Sequence, residues 1–343
     1  MKAATIWVLA VCLVGAVACT EDRNVGETSA PEASALETTD GAAVPVIFDT
    51  DIGGDIDDTW ALAYLVRSPE LDLKLVLTDF GDTVYRAKLA ARLLEVAGRS
   101  DVPIGIGLRQ SEDGGPQQAW VADYSLERYP GIVHQDGVQT MIDIIRAAKE
   151  PITLIAVGPA PNLKEALERA PDIAEKVRFV GMYGSVRMGY DGSAEPLAEW
   201  NVRADVEAVR AIMAAPWEKT LTPLDTCGLL KITGELYATV RDSNDALANA
   251  IVENYRLWLP NIDWEPESTD PDVASTTLYD IVAVYLAFAE DLVEIEEIGL
   301  RLTDEGMTIE DEAGQVARCA LRWKNMGALE AQIVERLTSG SNP

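Results

Sequence analysis

Five aspartates fall within ten residues, Asp49-Thr-Asp51-Ile-Gly-Gly-Asp55-Ile-Asp57-Asp58, directly after the apolar run 44–48. Carboxylates packed this densely repel one another and rise in pKa unless a cation neutralises them. So many hard oxygen ligands suit calcium or magnesium rather than zinc or copper. The apolar run reads as a buried strand, and in α/β folds ligands gather just beyond the carboxyl ends of parallel strands. The segment therefore reads as the floor of a metal-dependent active site.

The rest of the chain supports such a fold. Strand patterns at 46–48, 73–77, 102–106, 152–157, 177–182 and 219–221 alternate with helical patterns at 58–67, 85–97, 138–148, 162–170 and 205–214. Alternation of this kind predicts βαβ units around a mostly parallel sheet. The last third turns helical at 246–258 and 277–289. Two alternating segments, 293–303 and 315–323, then predict a hairpin appended to the sheet, and a final helix covers 328–337. The expected class is α/β, an open, mostly parallel but mixed sheet flanked by helices. No internal repeat or linker follows residue 44, so 44–343 is read as a single catalytic domain.

Residues 1–18 read as a signal peptide, with Lys2 followed by an apolar run too short to span a bilayer. Gly15-Ala-Val-Ala18-Cys19 resembles a bacterial lipobox, which would make Cys19 a lipid-anchor site; ordinary cleavage after Ala18 is the alternative. Either route predicts export, to the periplasm or the cell surface. Residues 19–43 are polar and small, as expected of a lipidated cysteine followed by a flexible tether. The formal charge of −29 argues against nucleic acid or an anionic membrane surface as the main partner, leaving the lipid anchor as the membrane attachment. Cys227 and Cys319 lie outside the leader, and the sequence leaves open whether they pair. A homo-oligomer is equally open.

Other polar groups fall near predicted strand ends: Thr78-Asp79-Phe-Gly-Asp82-Thr83, Ala156-Val157-Gly158-Pro159 leading to Asn162, Glu199-Trp200-Asn201, and Asp280 near a helix start. Together these stretches resemble the inosine–uridine preferring nucleoside hydrolases. Asp49 to Asp58 is similar to their DTDPGxDD signature with two extra residues. Leu94 to Gly105, His134-Gln-Asp-Gly137, Ile152 to Pro159, Ala198-Glu-Trp-Asn201 and Tyr279-Asp280 resemble further motifs of that family in the same order. The resemblance implies hydrolysis of the N-glycosidic bond of ribonucleosides, purine or pyrimidine, with one Ca2+. It places Asp51, Asp58, Asp280 and the backbone carbonyl of Val157 on the metal, with Asp51 also as the base that activates water. Asp57, Asp82, Glu199 and Asn201 would contact the sugar, with Trp200 and Tyr279 near the base. Asp49 would support the loop, and Asp55 has no counterpart.

The chain also departs from the family pattern. Tyr279 stands where purine-active members often carry histidine, and Asp82 where an asparagine is usual. Tyrosine's ordinary pKa near 10 makes it a poorer acid than histidine at neutral pH. His134, the sole histidine, is a candidate acid or a structural residue, and Tyr183 a candidate stacking ring. A lipid-anchored nucleoside or sugar receptor with little turnover is the alternative function. Other metal or phosphate folds fit less well. An EF-hand beginning at Asp49 would put Gly53 and Trp60 at ligand positions, and neither GxxxxGK[ST] nor GxGxxG follows the first strand.

Overall fold

A computed structural model describes residues 42–340. The expected signal peptide, the Cys19 anchor and nearly all of the tether lie outside the described residues. Strands β1 (Val44–Thr50), β2 (Leu71–Thr78), β3 (Ile104–Ile106), β4 (Val133–His134), β5 (Ile152–Ala156), β6 (Val177–Gly181) and β7 (Glu218–Leu221) are joined in parallel. Beyond β7 come β8 (Val293–Leu302), β9 (Thr308–Glu310) and β10 (Gln315–Trp323). The sheet order is β4-β3-β2-β1-β5-β6-β7-β10-β8-β9. β10 joins β7 in parallel and pairs antiparallel with β8, so the expected hairpin is present and carries β9 on its outer edge.

Each central strand sends alternate side chains to opposite faces, the period-two rule of a pleated sheet. Val46, Phe48, Val76, Ile155 and Val180 enter one core with helices α1 (Asp57–Val66), α2 (Thr83–Val96), α7 (Gly234–Arg241), α8 (Ala246–Trp258), α9 (Ile281–Leu286) and α10 (Met326–Thr338). Ile47, Leu75, Leu77, Leu154 and Phe179 enter the other with α3 (Gly137–Ala147), α4 (Pro161–Arg169) and α6 (Val206–Ala214). The apolar face of α3 shows why it is a helix: Val138, Met141, Ile142 and Ile145 recur at helical spacing and are all buried. Asp136 caps its start by accepting from the Gln139 amide.

The chain runs outward from β1 to β4, then returns to lay β5 against the other side of β1. This reversal is a topological switch point, where a crevice opens at the strands' carboxyl ends. Register sets what emerges there. Asp49 pairs with Leu77 of β2 and with Ala156 of β5, so Asp51, Asp79 and Val157 leave the sheet together. Cys227 and Cys319 are buried free thiols. Among the described residues no helix is long and apolar enough to cross a membrane.

Candidate active site

The crevice over the switch point is a cavity of about 780 Å3. β1 delivers Asp51 to its floor, and α1 begins there with Asp57 and Asp58 in its first turn, where the helix dipole favours negative charge. Asp280, immediately before α9, comes from a part of the chain more than two hundred residues away. One carboxylate oxygen from each of Asp57, Asp58 and Asp280 lies within 4.8 Å of the other two. All three side chains are buried. Burial pushes each well above the ordinary carboxylate range, and the charges of neighbouring aspartates push the same way. The Thr50 hydroxyl donates to Asp58 and the Asp280 amide to Asp57, offsetting part of this. Ligands about 2.3–2.6 Å from a calcium ion sit at such mutual spacings, so an all-oxygen donor set of this shape fits a hard divalent cation.

Asp51 lies in the same cavity but outside that closest trio. Burial raises its proton affinity too, against the lowering effect of Arg86, whose Nη2 stands 3.8 Å from Oδ2. Gly158 makes room for it: a Cβ there would come within 3.1 Å of carboxylate oxygens of both Asp51 and Asp79. Gly53, at φ 97°, turns the loop between Asp51 and α1 where a side chain would strike Leu89. Val157, whose carbonyl is expected on the metal, lines the cavity, and that carbonyl accepts from Asn201 Nδ2 at 2.9 Å.

On the opposite wall, Glu199 precedes the short helix α5 (Trp200–Ala204). Its carboxylate accepts from the backbone amides of Gly184, Asn201 and Val202 at 3.0, 2.6 and 3.2 Å. Burial nevertheless pushes it up to about 7. Asn201 spends its amide hydrogens on Val157 and Met182 carbonyls, which leaves its oxygen for the cavity. Trp200 is half exposed at the rim with the Arg203 guanidinium 5.2 Å from its ring centre. Tyr279 lies deeper, edge-on to Tyr190.

A family model for inosine-uridine preferring nucleoside hydrolases matches residues 46–337. The chain belongs to that family. It is 25% identical over 284 residues to the probable uridine nucleosidase 2 of Arabidopsis thaliana, covering 77% of this chain and 83% of that one. It is 30% identical over 228 residues to the non-specific ribonucleoside hydrolase RihC of Klebsiella pneumoniae, covering 62% and 72%. Among solved structures, the plant nucleoside hydrolase PpNRh1 superposes with a TM-score of 0.73 at 21% identity, over 87% of this chain and all of that one.

One expected residue of this nucleoside hydrolase family member is not brought to the cavity. Asp82 was expected on the sugar, but it lines a separate pocket of about 150 Å3. There it caps α2 through the Tyr85 amide, receives the Gly114 amide and pairs with Arg109 at 3.1 Å. The loop explains the turn away, since Phe80 and Gly81 both adopt left-handed φ values just before it. His134 lies on the edge strand β4 and does not line the cavity. The Tyr183 hydroxyl donates to the Gly158 carbonyl at 2.7 Å, so its ring braces the floor from behind. Asp49 is likewise internal and accepts from Asn162.

Other lining groups had no assigned role in the sequence. Asp55, in the two-residue expansion, faces the cavity, and burial pushes it to about 7. Arg86 donates to the Phe80 and Ile52 carbonyls, at 2.7 and 3.1 Å, and tethers both loops beside Asp51. A segment between 264 and 277 closes the outer cavity with Trp264, Glu265 and Asp270. An arginine in an amphipathic helix carries no spacing signal of its own, and polar loop residues carry still less.

Proposed function

We propose that the protein hydrolyses the N-glycosidic bond of ribonucleosides with calcium at the acidic floor of this cavity. The observation that carries the reading is the convergence of Asp57, Asp58 and Asp280 from two distant segments into one oxygen-lined group. Asp58 and Asp280 of that group, with Asp51 and the Val157 carbonyl from the same cavity, would hold the ion, and Asp57 beside them would face the sugar. When bound, the cation supplies Lewis acidity toward a water and a seat for the ribose 2′- and 3′-hydroxyls.

Asp51 serves as the general base. Burial strengthens it as a proton acceptor, and Arg86 keeps its carboxylate oriented. As the C1′–N bond breaks, its electrons pass to the base nitrogen and positive charge grows on C1′ and O4′. The surrounding carboxylates stabilise that charge in a site partly shielded from water. Water adds to C1′, Asp51 takes its proton, and the single displacement inverts the anomeric centre. Asp57, Glu199 and Asn201 orient the sugar, and Trp200 and Tyr279 border the departing base.

A nucleoside panel tests the proposal. Release of ribose from inosine or uridine is expected with calcium and is lost with a chelator. D51N is expected to reduce kcat by about 10²–10⁴-fold with its thermal melt preserved. Undiminished turnover in D51N rules out the assigned base. Export and anchoring through Cys19 form part of the same proposal; C19A is expected to move the protein from the membrane fraction to the soluble one.

A further inference from the structure

The floor of the cavity is built of acceptors: Asp51, Asp57, Asp58, Asp280 and the backbone of Val157. A sugar hydroxyl can give its proton to such a wall, but its oxygen finds no donor among ionised carboxylates. Arg86 is the exception. Of the three cations lining the cavity, Arg203 lies over Trp200 and Lys231 pairs with Asp191 at 3.2 Å; of the three, Arg86 alone pairs with a floor carboxylate. Its Nε and Nη1 are spent on the Phe80 and Ile52 carbonyls, which fixes the plane of the guanidinium. Nη2 stands 3.8 Å from Asp51 Oδ2, too far for a hydrogen bond, and makes none elsewhere among the described residues. The side chain is nine-tenths covered, yet Nη2 is not sealed from the cavity.

The backbone around that nitrogen is pared back to glycine. A Cβ on Gly54 would come 3.4 Å from Nη1, and one on Gly81 3.5 Å from Nη2. Phe80 and Gly81, both at left-handed φ, are also the residues that carry Asp82 away into the second pocket. The turn that removes an acceptor from the sugar therefore leaves a donor beside Asp51, held through the Phe80 carbonyl. In the hydrolysis proposed above, Asp51 draws its proton from the water attacking C1′. The hydroxyl bonded nearest to C1′ is the 2′ one, so a donor next to Asp51 meets the 2′-oxygen before the 3′ or 5′ oxygens.

We propose that Arg86 is a specificity-determining residue, donating from Nη2 to the 2′-hydroxyl oxygen while that hydroxyl gives its proton to a floor carboxylate. This rests on the hydrolase reading and adds to it a choice of sugar, ribofuranose over its 2-deoxy counterpart. A charged donor makes a strong hydrogen bond. A substrate without the 2′-oxygen forfeits that bond and leaves the guanidinium nitrogen unpaired against it. An arginine that only braced the two loops would treat all sugars alike.

The test uses 4-nitrophenyl β-D-glycosides of ribofuranose, 2-deoxyribofuranose and 3-deoxyribofuranose, whose leaving group departs as a stable anion without help from a protein acid. Nitrophenolate release in calcium is followed for the wild type and R86M. The ratio of kcat/KM for ribose over 2-deoxyribose is expected to fall at least about fivefold in R86M. The ratio for ribose over 3-deoxyribose is expected to stay within about twofold of the wild type's. Taking ratios cancels any loss caused by loosening Asp51 or the loops, because that loss falls on all three sugars. A thermal melt checks folding. Should R86M show none, R86K carries the same comparison with the same thresholds, since one ammonium cannot hold both carbonyls and reach the sugar. A smaller fall in the 2-deoxy ratio, or a 3-deoxy ratio outside that range, overturns the proposal. Either result with normal wild-type turnover of the riboside spares the hydrolase reading; release from no glycoside overturns both.

Discussion

Asp82 and Glu199 make an instructive pair of residues, because both cap a helix with a carboxylate and only one of them lines the cavity. Glu199 turns its oxygens to three backbone amides and still borders the cavity. Asp82 gives its oxygens to Tyr85, Gly114 and Arg109 on the far side of the loop. D82A is therefore expected to cost about 0.5–2 kcal/mol of stability through the lost cap. Its KM for ribonucleosides should stay within about twofold of the wild type, because a cap touches no substrate. A large rise in KM without a fall in melting temperature would return Asp82 to the sugar. The sequence could name both residues as candidates but could not tell them apart. What separates them is the left-handed backbone at Phe80 and Gly81, and a non-glycine residue at positive φ leaves no reliable mark in a sequence.

The join between β1 and α1 places the site at the scale of elements. Thr50, the last residue of β1, donates its hydroxyl to Asp58 in the first turn of α1 and accepts the Ile52 amide at 3.1 Å. This one side chain ties the strand end, the loop and a carboxylate of the Asp57–Asp58–Asp280 group together. T50V keeps the shape and removes both hydrogen bonds, so calcium affinity is expected to fall about tenfold or more. Titrating calcium into both proteins by calorimetry checks this, and equal affinities would mean that Asp58 needs no such support. Elements of this kind were legible, since long buried strands and periodic helices announce themselves. The short ones were not: β4, β9 and α5 hold too few residues to show a period. The expected helix at 277–289 contracts to α9 for a different reason. Ser275 and Thr276 hydroxyls bond nearby backbone carbonyls, and the Leu278 amide pairs with Leu230. Local hydrogen bonds thus outcompete the first turn of helix and leave Asp280 at the true start, facing Asp57 and Asp58.

For the whole molecule, a formal charge of −29 and a buried acidic site make stability a function of pH and, with calcium bound as proposed, of calcium. Burial pushes Asp55, Asp79 and Glu199 up to about 7, and Asp57, Asp58 and Asp280 well above their ordinary range. A group with a raised folded pKa binds protons more tightly folded than unfolded. As pH rises from about 4, the unfolded chain ionises first and the metal-free fold loses stability, until the folded Asp55, Asp79 and Glu199 ionise near 7 and their share of the loss levels off. Calcium, held as proposed, would bind the ionised form and so act against that loss, most strongly at the alkaline end. At a free calcium concentration of a hundred times Kd, linkage adds about 2.7 kcal/mol. For a domain of this size that raises the melting temperature by roughly 5 °C. Scanning calorimetry with and without calcium is expected to show that shift at pH 8, and a smaller one at pH 5, where protons compete for the same oxygens. A shift that is equal at both pH values, or larger at pH 5, would mean the ion is not held by these carboxylates.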